Sequence, residues 1–248
     1  MSIIFASAGF EAARSHLGDA VPDAQIAAID GGVLREHGAE AEILIPAMTP
    51  VDGPLMDRIA GLRLIHQFGS GLEGVDVAAA TERSIAVANV PTAGTGNAES
   101  VAEWCVMGAI AVMRHLPVSV RDIRAGGSWG KPAGRALLGK TAGIVGLGGI
   151  GEAVAARLGP FGMRRIAVKR TEDPAQAARL GMAWVGTMEA LPRLLEEADI
   201  VFLCLPVTAE TRAMIDRAAL DRLGPEGVLV NASRGGLVDE DALTAALA

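Results

Sequence analysis

Between residues 146 and 151 the chain reads Gly-Leu-Gly-Gly-Ile-Gly. Glycines at G-x-G-x-x-G spacing work through the backbone. Gly146 permits a tight turn, Gly148 lets main-chain N–H groups approach a pyrophosphate, and Gly151 lets a helix pack closely on a strand. The apolar run Thr141 to Val145 predicts a strand before the turn, and Glu152 to Leu158 predicts a helix after it. A helix starting there turns unpaired N–H groups and a positive dipole end toward an anion. Strand, glycine turn and helix together form the arrangement that binds a dinucleotide.

The second half of that arrangement is altered. An acidic residue is expected about 20 residues on, where it accepts hydrogen bonds from the adenosine ribose. Here the next strand, Arg165 to Val168, runs into Lys169-Arg170-Thr171, with no acid before Glu172. Two cations at the ribose end suit a 2′-phosphate, because Lys and Arg give charge-assisted hydrogen bonds to phosphate oxygens. Lys169 and Arg170 therefore predict NAD(P) binding with NADP(H) preferred. The alternative is a pair of solvated loop cations.

The elements that must hold this turn follow from composition. The chain has 248 residues, 50% of them hydrophobic and only 3% aromatic, with no Tyr. A core of Ala, Val, Leu and Ile suits parallel strands covered by helices. The net charge of −7 argues against a nucleic-acid partner. Cys105 and Cys204 lie in apolar runs and read as buried free thiols, which points to a reducing, cytoplasmic compartment. No Cys or His spacing suggests a metal site, and no apolar run reaches membrane-spanning length.

Strands are predicted at Ile3 to Phe5, Ala41 to Ile45 and Leu62 to Ile65, with helices at Val33 to His37 and Leu55 to Ala60. These make a small βα domain over residues 1–92. A long helix from Asn97 to His115, apolar all round from Trp104 to Met113, reads as buried, either in the core or at a dimer contact, and as ended by Pro117. A polar Gly/Pro-rich loop follows, from Arg124 to Pro132. Residues 93–248 then alternate strands (141–145, 165–168, 200–204, 227–230) with helices (near 150–158, 188–196, 216–222 and from 239). Such alternation predicts an α/β fold with a doubly wound parallel sheet.

Five blocks of the sequence resemble the D-isomer-specific 2-hydroxyacid dehydrogenases. They are Leu64 to Asp76, Ile85 to Pro91 followed by Asn97 to Glu103, the glycine turn, Ala198 to Thr211, and Val230-Asn-Ala-Ser-Arg234-Gly-Gly-Leu-Val-Asp239-Glu-Asp-Ala-Leu243. The resemblance implies a Rossmann-like cofactor domain, a second flavodoxin-like βα domain for substrate, and a homodimer. It implies hydride transfer between NAD(P)H and a small 2-keto acid, such as glyoxylate or hydroxypyruvate. Arg234 then matches the arginine that grips the substrate carboxylate and polarises the keto oxygen, a task suited to a planar guanidinium. Gly69, Ser70 and Gly71 match the loop whose N–H groups hold the same carboxylate. Gly149 and Ile150 match positions against the diphosphate. Leu205, Pro206 and Thr211 match a strand-end loop beside the cofactor, and Ala232 and Ser233 match residues near the nicotinamide.

One departure stands out. The family places a glutamate and a proton-donating histidine after the arginine, and no histidine occurs between Arg234 and Ala248. The expectation is a chain truncated at its C-terminus, impaired as a catalyst and prone to instability or association. The competing expectation is an inactive dinucleotide-binding or scaffold protein of the same fold. Among the histidines present, His66 lies nearest the substrate loop and reads as a strand-end side chain.

Overall fold

In a computed structural model, all residues except Ser128 and Trp129 are described. The chain divides into two compact units, Met1–Thr92 and Ala93–Ala248. The predicted 124–132 loop is therefore described apart from Ser128 and Trp129, which lie outside the described residues.

The first unit begins with β1 (Ser2–Phe5), α1 (Glu11–Ala20), β2 (Gln25–Ala28) and α2 (Gly31–His37). It continues through β3 (Ala39–Glu40), β4 (Ile43–Ile45), α3 (Gly53–Met56) and β5 (Ile59–Ala60), then β6 (Leu64–Gln67), α4 (Val77–Glu82) and β7 (Ala86–Asn89). Five of these strands form a parallel sheet in the order β2-β1-β4-β6-β7, and β3 pairs separately with β5. That five-strand order is the flavodoxin-like one, with its reversal between β1 and β4. Asp30, Asp52 and Asp76 each cap the helix that follows by accepting a backbone N–H. Such a cap contributes about 1 kcal/mol. The predicted helix at 55–60 is corrected: only Gly53–Met56 is helical, and Ile59–Ala60 joins the small second sheet.

The second unit opens with α5 (Asn97–Met113) and α6 (Leu116–Arg124). Its nucleotide half runs β8 (Thr141–Val145), α7 (Gly149–Leu158), β9 (Arg164–Val168), α8 (Pro174–Arg179) and β10 (Trp184–Gly186). It ends with α9 (Leu191–Glu197), β11 (Ile200–Leu203), α10 (Arg217–Leu223), β12 (Val228–Asn231) and α11 (Glu240–Leu247). The sheet is parallel throughout, in the order β10-β9-β8-β11-β12. From β8 the chain winds outward to β10, then returns to build β11 and β12 on the other side. The strand order thus reverses between β8 and β11, which is where open α/β sheets leave a crevice.

Of the two expectations about α5, burial is met on one face of the helix and the role of Pro117 is corrected. Ala98, Ala102, Cys105, Ala109 and Met113 are buried at helical spacing, the last four in the core with Ala142, Ile144, Val154 and Leu158. The other face is open: Trp104 is 64% exposed and Met107 48%. Pro117 does not simply end the helix. His115 adopts φ +49°, and Pro117 sits in the first turn of α6, where its missing N–H costs nothing. No single helix among the described residues is long and apolar enough to cross a membrane.

Polar contacts gather at the amino ends of these strands. Asp199, just before β11, accepts from Lys140 Nζ at 2.9 Å and from the Thr141 N–H at 2.8 Å, tying the starts of β8 and β11 together. Glu197 accepts from Arg193, Trp184 and Arg164.

Candidate functional site

The glycine turn lies at the carboxyl end of β8, beside the reversal of strand order. Gly146 takes φ +93°, and a Cβ there would lie 2.6 Å from the Cys204 carbonyl oxygen at the end of β11. No L side chain fits that combination. A Cβ on Gly151 would collide with the Gly146 carbonyl, so α7 can start this close to β8 only with glycine. Gly148 differs: nothing lies within 4 Å of its Cβ position, and it faces open space as the N-cap of α7 with no side-chain cap. The first N–H groups of α7 are thus left for an external acceptor. The turn and the helix N-terminus fit a dinucleotide diphosphate on these grounds.

Lys169 follows β9 directly and is half-buried, while Arg170 beside it is exposed. Residues 169–174 line a cleft of about 460 Å³. The Lys169 ammonium donates to Gln176 Oε1 at 2.5 Å. Gln176 Nε2 donates to the Leu147 carbonyl at 3.0 Å and to Glu152 Oε1 at 2.5 Å. Arg179 donates to the other Glu152 oxygen at 2.7 Å, and this bond leads in holding the Glu152 carboxyl below its usual pKa. The sequence reading named Lys169 but missed Gln176. Its signal was available in Asp173-x-x-Gln176, a capping-box spacing, and Asp173 does cap the Gln176 N–H.

At the carboxyl ends of β11 and β12 the remaining predicted residues of this unit come together. Ser233 Oγ donates to the Leu203 carbonyl at 2.7 Å. Asn231 brackets the turn from both sides: its Oδ1 accepts the Ser233 N–H and its Nδ2 donates to the Arg234 carbonyl. Arg234 is exposed, and its Nη1 donates to the Ser233 carbonyl at 3.0 Å. Ala232 packs against the core and Leu205 against the opposite apolar cluster. Thr211 Oγ1 donates to the Pro206 carbonyl at 2.9 Å and accepts the Thr208 N–H, so its hydroxyl closes the 205–211 loop. Gly149 opens α7 and Ile150 packs on the core.

In the first unit, Gly69, Ser70 and Gly71 follow β6 at its carboxyl end. Asn89 Nδ2 donates to the Ser70 carbonyl at 2.8 Å, and the Val90 N–H to the Gly69 carbonyl. Carbonyls of the loop are thus tied to β7. Phe68 packs edge-on against Phe10 at 5.0 Å between ring centres. His66 lies within β6 and lines an apolar cavity with Phe5, Ile45 and Phe68. Among the described residues no group of Cys, His, Asp or Glu is placed to hold a metal ion.

Known proteins share this arrangement. The family described as "D-isomer specific 2-hydroxyacid dehydrogenase, NAD binding domain" matches residues 106–248, more than half of the chain. The chain belongs to that family. D-3-phosphoglycerate dehydrogenase of Mycobacterium tuberculosis is 37% identical over 234 residues, 93% of this chain and 43% of the relative. Glyoxylate reductase of Thermococcus litoralis is 35% identical over 87% of this chain and 66% of its own length. Among solved structures, apo D-lactate dehydrogenase from Escherichia coli superposes with a TM-score of 0.83 at 26% identity, covering 100% of this chain and 78% of the other. The chain thus spans less than half the length of the mycobacterial relative. Membership in the family makes the second unit an NAD(P)-binding domain of Rossmann type.

Proposed function

We propose that this chain carries the cofactor-holding and substrate-anchoring parts of a cytoplasmic, homodimeric reductase that acts on small 2-keto acids and prefers NADPH. The glycine turn at the strand-order reversal, with a lysine and an arginine at the end of the neighbouring strand, carries this reading. Met1–Thr92 serves as the substrate domain and Ala93–Ala248 as the dinucleotide domain.

The roles follow from local geometry. Backbone N–H groups at the start of α7, from Gly149 onward, take the diphosphate, and Gly148 leaves room for it. Lys169 and Arg170 pair with the 2′-phosphate. Leu205, Pro206 and Thr211 flank the cofactor, and Ala232 and Ser233 lie by its nicotinamide end. NAD(P)H, when bound, supplies a hydride. Arg234 grips the substrate carboxylate through its two-pronged guanidinium and draws charge toward the keto oxygen as it develops. N–H groups of the Gly69–Gly71 loop serve the same carboxylate chemistry on the first unit. The glyoxylate reductase among the relatives supports a compact keto acid, as do the small residues of that loop. No histidine follows Arg234 in these 248 residues, and no proton donor is proposed among them.

The test is a fluorescence titration with NADPH and NADH, followed by NADPH oxidation with glyoxylate and hydroxypyruvate. Tighter NADPH binding, strengthened by a keto acid, is expected. Tighter NADH binding removes the cofactor preference. NADPH binding with no dependence on any keto acid favours an inactive dinucleotide-binding protein of the same fold.

A further inference from the structure

Among the described residues Gln176 is the one buried polar or charged side chain, 9% exposed. It belongs to α8, yet its amide reaches across to two parts of the cofactor machinery at once. Its oxygen accepts from Lys169 Nζ, and its nitrogen donates to the Leu147 carbonyl within the glycine turn and to Glu152 in the first turn of α7. The backbone N–H of Gln176 is in turn held by Asp173.

The chemistry of these neighbours allows one orientation of the amide. Leu147 offers a carbonyl oxygen and Glu152 a carboxylate, both acceptors only, so they must meet the NH₂ group. The amide oxygen is left to face Lys169, whose ammonium only donates. A flipped amide would set donor against donor and acceptor against acceptor at three contacts. Glu152, whose carboxylate would otherwise repel an anion at the start of α7, is neutralised by Arg179. The lysine stem is flexible, and ordering it on binding costs side-chain entropy. With one N–H spent on Gln176, two remain to meet a ligand from a pre-set position.

We propose that Gln176 is the positioning residue for cofactor choice: it holds the Lys169 ammonium against the glycine turn, so that discrimination for the 2′-phosphate depends on a side chain that touches no cofactor. The inference rests on Lys169 serving the ribose end, as proposed above.

The experiment measures Kd for NADPH and NADH in the wild-type chain, Gln176→Met, Lys169→Met and the double variant. A melting curve for each checks folding. Gln176→Met keeps the volume and removes every side-chain hydrogen bond, leaving the backbone N–H on Asp173. The NADPH-to-NADH preference is expected to fall about tenfold in Gln176→Met, the worth of one charge-assisted hydrogen bond. It should fall no further when Gln176→Met is added to Lys169→Met, since residues that act through one another are non-additive. Equal losses for both cofactors with the ratio unchanged would overturn the proposal, as would fully additive effects. Should Gln176→Met melt too early to titrate, Gln176→Asn keeps the amide one methylene short of Lys169, and the same fall in ratio is expected. A wild type that favours NADH refutes the cofactor preference alone. The dependence of the ratio on Gln176 through Lys169 is still decided by the same titrations.

Discussion

The Ser233 hydroxyl donates to the Leu203 carbonyl at 2.7 Å, joining the carboxyl ends of two neighbouring strands where Arg234 emerges. With Asn231 bonded to both Ser233 and Arg234, the backbone that carries the guanidinium is held from two sides. The exposed arginine is therefore mounted on a fixed base, not on a loose loop.

Replacing Arg234 with Lys keeps the charge but loses the planar fork. Binding of oxamate, a planar 2-keto-acid mimic, to the NADPH complex is expected to weaken by about 1.5–3 kcal/mol, the range for hydrogen bonds to charged groups. Asn231→Ala should weaken oxamate binding less and leave NADPH binding unchanged. Calorimetric titration reads both, and unchanged oxamate affinity in Arg234→Lys would remove the arginine from the site.

Gly148 and Gly151 of the turn should fail in different ways. Gly151→Ala forces a methyl group into the Gly146 carbonyl, and overpacking of this kind costs about 1–3 kcal/mol in denaturant unfolding. Gly148→Ala meets open space, and its φ of −90° suits any L residue. It is expected to unfold like the wild type while binding NADPH at least about tenfold more weakly, because its methyl group occupies the path of the diphosphate. Unaltered binding in Gly148→Ala would place the diphosphate elsewhere.

Glu197 sets an acid limb to stability. Hydrogen bonds from Arg164, then Trp184 and Arg193, hold its carboxyl down to about 2. A depressed acid adds stability that is fully present above its unfolded value, near 4.5, and is lost as pH falls toward 2. Between those limits Glu197→Gln should flatten the fall of melting temperature with acidification, and NMR of the wild type should find the carboxylate still ionised at pH 3.5.

Cys105 and Cys204 are both buried and unpaired by disulfide. The hydrogen bond to Cys105, and then burial, raise the Cys204 thiol well above its ordinary value. The same hydrogen bond lowers the Cys105 thiol, so enclosure is what shields both sulfurs from reagents. Neither cysteine is expected to react with Ellman's reagent until the second unit unfolds, and both should react together in denaturant. Rapid labelling of the native protein would contradict that burial.

The parts of this molecule that could be read from residues alone share one property: their chemistry is local. The strand Thr141–Val145 and the turn after it occupy their expected places because apolar run, glycines and helix are contiguous. The edge strands Gln25–Ala28 and Trp184–Gly186 carry no such signal; each is short and half-exposed, so it becomes a strand only by pairing with a stronger neighbour. The outer face of α5 is ambiguous in the sequence because an apolar surface does not tell what covers it. Pro117 is ambiguous in principle, since proline both stops a helix and starts one. Gln176 and Asn231 escaped for a further reason. Their value lies in partners 24 and 29 residues away, for Gln176, or in a turn's backbone, for Asn231, and neither amide is reactive in itself.

The sheet of the second unit holds the Lys140–Asp199 pair and the contacts of Glu197 at the end opposite the glycine turn. Lys140, Asp199 and Glu197 work where the strands begin; Gly148, Lys169 and Ser233 work where they finish. Substitutions in the first set therefore change how the strands are joined without touching the residues proposed to meet the cofactor.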